Sequence, residues 1–423
     1  MIRVAWILLQ SRHGSRRPLP ELRRLEERRL RAVVAHAWAH VPVHRRRLTD
    51  AGVGPDTVRT LADVGKLPLT PKRLLRETPP AELLVRGVAP GRCHVVRTSG
   101  STGEPLRVYL GPAEVDWHRA AGLRILQDLG FRWRDRTLEI RALTGSTFGV
   151  QRLGIAPKRW VSILDPPGAQ LREIVEYRPD VLCASVSTLD DLARCALANG
   201  VAVPAPRLVV VDSEPLLPAA RARIARAFGR QPTDVYGLVE LSNFAWECAH
   251  RTGLHVAADT HLVEVVDDDD RPVPAGIPGR VVVTDLVART MPMLRYDTGD
   301  RAALVDDPCP CGRTFPRLVG LVGRSADAVR LPDGRRVHWP YFHETLARFE
   351  DLERWQVIQE DLHRLRLRVL VRPERRTALV GPLAAELAAL LGPDVTVDIE
   401  PWDVTGRDPT RKDRPVVSRL LPP

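Results

Sequence analysis

The sequence predicts an α/β protein. A large N-terminal domain of helix-covered, mainly parallel sheet carries a β-rich subdomain and is followed by a small α+β C-terminal domain. Three observations predict this. The chain has 423 residues, 44% of them hydrophobic, which exceeds one ordinary domain and is enough for substantial cores. In the middle of the chain, short apolar runs alternate with helical stretches, the pattern of parallel strands joined by crossover helices. Past about residue 253 this gives way to short β segments and turns. The expected division is 1–323, with the β-rich part at about 253–323, and 324–423.

Residues 20–52, "PELRRLEERRLRAVVAHAWAHVPVHRRRLTDAG", space apolar side chains three and four apart between charges, which predicts one amphipathic helix ended by Gly52. The segment "LADVGKLPLTPKRLLRE" then leads to a glycine-rich loop. Next come "PDVLCASV", "STLDDLARCALANG", "PRLVVVDSE", "LLPAARARIARAFG" and "PTDVYGLVE", which read strand, helix, strand, helix, strand. Ligands of such sheets bind at the carboxyl ends of the strands, where "DSE" and "YGLVE" fall. Beyond these, "LHVAAD", "GRVVVTDL" and "MLRYDTGD" form the β-rich part. "DGRRV" predicts a hairpin turn, and "YFHETLARFEDLERW", "RLRLRVLVRPE", "GPLAAELAALLG" and "VTVDIEPW" predict helix, strand, helix, strand.

A net charge of +11 raises nucleic acid as a partner. The arginines are spread along the chain, however, and aromatics are only 5%, so a nucleic-acid function is excluded. The apolar opening "VAWILLQ" is too short to span a membrane and lacks a cleavage site, so the expectation is a cytoplasmic protein without a membrane partner. Six cysteines in so long a chain do not make a disulfide framework. Lysine is scarce: it occurs only at 66, 72, 158 and 412, which marks Lys412, near the end, for attention.

The loop "RTSGSTGEP" alternates glycine with Thr98, Ser99, Ser101 and Thr102. Gly100 and Gly103 let main chain approach a ligand closely, and successive amides and hydroxyls can surround phosphate oxygens. In order after it come "DSEPL" (212–216), "DVYGLVE" (234–240), "MLRYDTGD" (293–300) and "LVGRSADAV" (321–329). Together with "HVPVHRRRL" and "LPLTPKRLL", these resemble the AMP-forming adenylating enzymes, and within them the branch of phenylacetate–CoA ligase and the CapK-like proteins, including coenzyme F390 synthetase. The resemblance covers almost the whole chain. It implies that a carboxylic acid attacks the α-phosphorus of ATP to give an acyl-adenylate and pyrophosphate. The acyl group then passes to coenzyme A or, as the alternative, to an amine, a hydroxyl or a carrier protein. A homodimer is carried as the expected assembly.

The resemblance also implies roles. Residues 98–103 cradle phosphate, and Glu240 holds Mg²⁺ between phosphates. Asp300 accepts both ribose hydroxyls, as an ionised carboxylate can. Ser213, Glu214, Tyr236 and Gly237 form the adenine site. Arg324 belongs to the boundary motif, and Lys412 in "TRKDRPVVSRL" follows the negative charge of adenylation as a compact ammonium. Two departures stand out. The position of the family's acidic hinge residue holds Ala326, and "TLEIRALTGSTFGVQRLG" lacks the glycine-rich aryl-pocket pattern of phenylacetate ligases, so a different acyl specificity is expected.

Separately, "WECAHRTGLHV" and "DDPCPCGR" offer Cys248, His250, His255, Cys309 and Cys311. Three thiolates and one imidazole complete a tetrahedral zinc site with no position open for water, so a structural Zn²⁺ is expected on Cys248, His255, Cys309 and Cys311. His255 is favoured over His250 from its hairpin position.

Overall fold

The computed structural model of the protein describes residues 2–11, 14–97, 106–141, 151, 154–322, 328–346, 348–349, 351–371, 373–402 and 415–420. The 98–103 loop, Arg324, Ala326, Lys412 and residues 142–150 of the segment "TLEIRALTGSTFGVQRLG" lie outside them. The chain forms two compact units, 1–321 and 322–423.

The first unit opens with α1 (Ile2–Ser11), α2 (Leu19–His40) and α3 (Pro42–Asp50). The single helix expected over 20–50 is two, because Val41 is extended (φ −112°) and Pro42 begins a new helix. Proline disfavours the helical conformation in the residue before it, and its missing N–H suits a helix's first position. Two short helices, α4 (Lys72–Glu77) and α5 (Pro80–Leu83), lead to the hairpin β1 (His94–Arg97) and β2 (Arg107–Leu110), then α6 (Pro112–Asp128).

The alternating region comprises β3 (Thr137–Arg141), β4 (Lys158–Ser162), α7 (Pro167–Tyr177), β5 (Val181–Ser185), α8 (Val186–Ala198), β6 (Leu208–Asp212), α9 (Pro218–Phe228) and β7 (Pro232–Leu238). β3 to β7 are parallel. Their apolar side chains, such as Leu182, Val209 and Val211, are buried against Leu189, Leu192, Ile224 and Phe228 of α8 and α9. The Ser185 hydroxyl caps α8 by accepting the Thr188 N–H (3.3 Å).

The chain then turns antiparallel through β8 (Ser242–Glu247), β9 (Leu254–Val256), β10 (His261–Val266), β11 (Gly279–Asp285), β12 (Tyr296–Val305) and β13 (Arg317–Val322). These strands do not form a separate sheet. They extend the parallel one into an 11-stranded sheet of order β10-β11-β12-β13-β9-β8-β7-β6-β5-β3-β4. Extension is possible because β8 pairs directly with β7 across the short turn that contains Glu240.

In the second unit, β14 (Ala328–Arg330) and β15 (Arg336–His338) form a hairpin whose turn has Gly334 at φ +86°. After α10 (Trp339–Leu346) come β16 (Leu352–Gln359), β17 (Arg364–Val371), α11 (Pro373–Leu391), β18 (Thr396–Pro401) and β19 (Val416–Ser418), with a four-stranded sheet of order β18-β17-β16-β19. The expected helix over "YFHETLARFEDLERW" stops early, and "LERW" opens β16, packed among Leu365, Leu367 and Leu387. Among the described residues no helix is long and apolar enough to cross a membrane.

Candidate functional site

The carboxyl ends of β3, β6 and β7 carry the first group of predicted residues. β6 ends at Asp212, which receives a two-pronged bond from Arg141 (2.9 and 2.6 Å). Ser213 follows in the left-handed region (φ +72°), and its hydroxyl donates back to Asp212 (2.9 Å). A non-glycine residue held there is strained locally, a feature that clusters at functional turns. The Glu214 carboxylate accepts the N–H (2.8 Å) and hydroxyl (3.1 Å) of Ser187, so it sits on the first turn of α8, where the helix dipole favours an anion.

β7 delivers Tyr236 and Gly237. The β7–β8 register shifts between them, a bulge that re-aims the chain. A Cβ at Gly237 would lie 2.6 Å from both the Asn243 Cα and the Ser242 carbonyl oxygen, so only glycine fits. Tyr236 is buried, edge-on to Phe244, and its hydroxyl donates to Asp300 on β12 (2.7 Å). Burial, and then the neighbouring carboxylate, push the phenol well above its ordinary range, so it stays a donor. Asp300 is itself buried, with its N–H on the Thr298 hydroxyl (3.1 Å).

Glu240, just past β7, is the most enclosed member, with its side chain only 2% exposed. One oxygen takes both the Lys72 ammonium (2.7 Å) and the Tyr296 hydroxyl (2.8 Å). Its other oxygen has no hydrogen-bond partner among the described residues. Lys72 arrives there because the preceding segment is bonded to the same strand: the Thr70 N–H donates to the Arg295 carbonyl (2.8 Å), and the Asp297 N–H to that of Thr70 (3.0 Å). Sequence reasoning passed over Lys72 and Tyr296. The signal for Lys72 was available, since it is one of four lysines in the chain. Each of the three described lysines pairs with a carboxylate, Lys66 with Asp63, Lys72 with Glu240 and Lys158 with Glu139.

The second group lies at the far end of β8. Cys248 follows that strand, His255 is in β9, and Cys309 and Cys311 flank Pro310 in the turn between β12 and β13. The ligand atoms of these four residues lie within 4.8 Å of one another. The Cys248 and Cys309 sulfurs are 3.7 Å apart, and Cys311 Sγ is 3.4 Å from His255 Nε2. His255 Nδ1 lies 3.2 Å from the Phe315 carbonyl oxygen, which can only accept. Nδ1 therefore carries the proton and Nε2 presents a lone pair to the sulfurs, the usual orientation of a ligating imidazole. Burial lowers the His255 pKa to about 4, keeping the ring in its neutral, ligating form. His250 is exposed and outside this group.

No family model matches the chain. A phenylacetate–coenzyme A ligase from Thermus thermophilus is 33% identical over 321 residues, 73% of this chain and 72% of that protein. A phenylacetate–coenzyme A ligase from Escherichia coli K12 is 29% identical over 353 residues, 78% and 77% of the two. The crystal structure of a 2-hydroxyisobutyryl-CoA ligase in the postadenylation state matches the fold with a TM-score of 0.80 at 23% identity, covering 96% of this chain and 92% of that one.

Proposed function

This chain belongs to the phenylacetate–CoA ligase branch of the AMP-forming acid ligases, and from that premise we propose that it activates a carboxylic acid with ATP as an acyl-adenylate and transfers the acyl group to coenzyme A. The observation that carries the assignment of the site is the buried Glu240, with one oxygen held by Lys72 and Tyr296 and the other unpaired among the described residues. A hard divalent cation seeks such an oxygen. Mg²⁺ bound with the triphosphate would meet Glu240 and supply neutralising charge on the phosphate oxygens.

The chain's own groups do the positioning. Tyr236 fixes Asp300 by donating to one of its oxygens, which orients the carboxylate toward paired ribose hydroxyls. Gly237 keeps the main chain open beside the base, and Glu214 and Ser213 complete that wall. The 98–103 loop cradles the phosphates, with Arg324 at the boundary. The role proposed for Lys412 is to neutralise the negative charge that grows as the acid oxygen attacks phosphorus. Ala326, in the place of an acidic hinge residue, favours as a second reading an amine, hydroxyl or carrier-protein acceptor. For the second group of residues we propose a structural Zn²⁺, supported by a donor set of three thiols and a neutral imidazole.

The test is pyrophosphate release from ATP and Mg²⁺ with a panel of acids, with and without coenzyme A, and with thioester detected by mass spectrometry. The expected result is acid-dependent release with thioester formed only when coenzyme A is present. Lys412→Ala should cut release by two to three decades, or about 3–4 kcal/mol, while ATP still binds. Wild-type release by Lys412→Ala removes that residue from the mechanism.

A further inference from the structure

Tyr296, which bonds Glu240, is preceded by an arginine that is only 2% exposed. A guanidinium is costly to bury unless its donors are met. Arg295 meets four acceptors. Its Nε donates to the Glu264 carboxylate on β10 (3.1 Å), Nη1 to the carbonyls of Gly65 (3.3 Å) and Leu67 (2.8 Å), and Nη2 to that of Asp270 (3.2 Å). Its main chain is engaged as well. The Arg295 N–H donates to the Thr284 hydroxyl on β11 (3.0 Å), and its carbonyl accepts the Thr70 N–H (2.8 Å). The residue sits at φ +42°, a strained conformation for a side-chain-bearing residue that persists only where the surroundings fix it.

These bonds converge. Those with Gly65, Leu67 and Thr70 fasten the segment that enters α4 at Lys72. Those with Glu264, Asp270 and Thr284 fasten the start of β12, where Tyr296 is the next residue. Lys72 and Tyr296 are the two donors on one Glu240 oxygen, so Arg295 stands where the segments carrying both of them meet. An ion pair with Glu264 would by itself need one of these bonds. The planar fork of an arginine is what lets a single side chain reach three carbonyls and a carboxylate.

We infer that Arg295 is a positioning residue for Glu240: by fixing Lys72 and Tyr296 together, it keeps one Glu240 oxygen occupied and leaves the other for the cation of the proposed nucleotide site. The inference rests on the ligase reading above for the cation's role alone. Groups that orient a metal ligand without touching the metal set its affinity, and this one acts through two intermediaries.

The experiment is a double-mutant cycle in urea unfolding with Lys72→Met and Arg295→Lys, followed by calorimetric titration of ATP with and without Mg²⁺. Arg295→Lys keeps a cation opposite Glu264 but cannot reach four acceptors. The fall in urea midpoint caused by Lys72→Met should be at least halved in the Arg295→Lys background, because the Lys72–Glu240 pair is already loosened. Arg295→Lys should also lose about tenfold in ATP affinity measured with Mg²⁺ and little in that measured without it. Glu264→Gln is the control. It removes the ion pair while Arg295 keeps its three carbonyls, so it should lower the midpoint and leave the effect of Lys72→Met and the Mg²⁺-dependent affinity at their wild-type values. If Arg295→Lys does not fold, Arg295→Met combined with Glu264→Leu takes both buried charges away at once and is read in the same way. Additive substitutions, an unchanged Mg²⁺-dependent affinity, or a Glu264→Gln protein that reproduces either effect of Arg295→Lys overturns the inference. The urea cycle needs no ligand, which separates the two failures. A coupled cycle in a protein whose wild-type ATP affinity does not respond to Mg²⁺ sinks the cation role that the ligase reading gives Glu240 and leaves the linkage of Arg295 to Lys72 standing.

Discussion

The two ends of β8 carry opposite kinds of site. Just before the strand, Glu240 is a buried carboxylate held through side chains from distant segments, Lys72 and Tyr296. Just after it, Cys248 joins His255, Cys309 and Cys311 in a cluster placed by strand register and one tight turn. The first group has a carboxylate oxygen to offer a ligand. The second is complete in itself. One strand thus connects a buried carboxylate with an oxygen to spare to four donors that face one another, and the comparison teaches that the substrate role and the zinc proposed above fall at different ends of it.

The largest expected effect tests the closed end. Purified protein should hold one zinc per chain, and Cys309→Ser should remove it and lower unfolding free energy by more than about 5 kcal/mol, since structural zinc contributes about 10–16 kcal/mol in small metal-built domains. The folded fraction should release pyrophosphate at the wild-type rate per molecule. Metal analysis finding no zinc in protein prepared without chelator breaks the comparison at once.

The open end is tested next. Lys72→Met leaves the Glu240 carboxylate buried without its cation and should destabilise the protein by about 3 kcal/mol in urea unfolding. Adding Glu240→Gln in that background should restore most of the stability and none of the pyrophosphate release. If the double variant is no more stable than the single, the pair is not the source of the strain. A smaller effect is expected at Asp300, where Asp300→Ala should weaken nucleotide binding by about 1.5–3 kcal/mol, the range for a hydrogen bond to a charged group, with the melting temperature little changed. Unaltered nucleotide affinity in a calorimetric titration would separate Asp300 from the open site.

Much of this comparison was legible in the sequence, and the reason is chemical. Cysteines one residue apart around a proline are rare enough to name a ligand set, and the strand–helix alternation from Val181 to Leu238 follows directly from where apolar residues recur. Glu240 and Asp300 could be singled out as candidates because the motifs that carry them are contiguous. Lys72 and Tyr296 were not assigned, because each acts through a partner 168 or 56 residues away and no local pattern records that distance. The break at Val41 was hidden for a different reason: helical spacing continues across it, and only Pro42 announces that the main chain cannot.

The pairing of Thr70 with the strand that begins at Tyr296 has a consequence for how the protein is made. The Thr70 segment that carries Lys72 toward Glu240 pairs with the strand at Tyr296 only after that distant strand has been synthesised and the chain has closed on itself, and closing so long a loop is an entropic cost met late in folding. On the ribosome, a nascent chain that has completed β3 to β7 already owns the parallel half of the sheet, yet its Glu240 has neither lysine nor tyrosine beside it. Until β12 emerges and docks, the carboxylate proposed to meet magnesium lacks the tyrosine that holds it, so the proposed nucleotide site is completed late in the folding of the first unit.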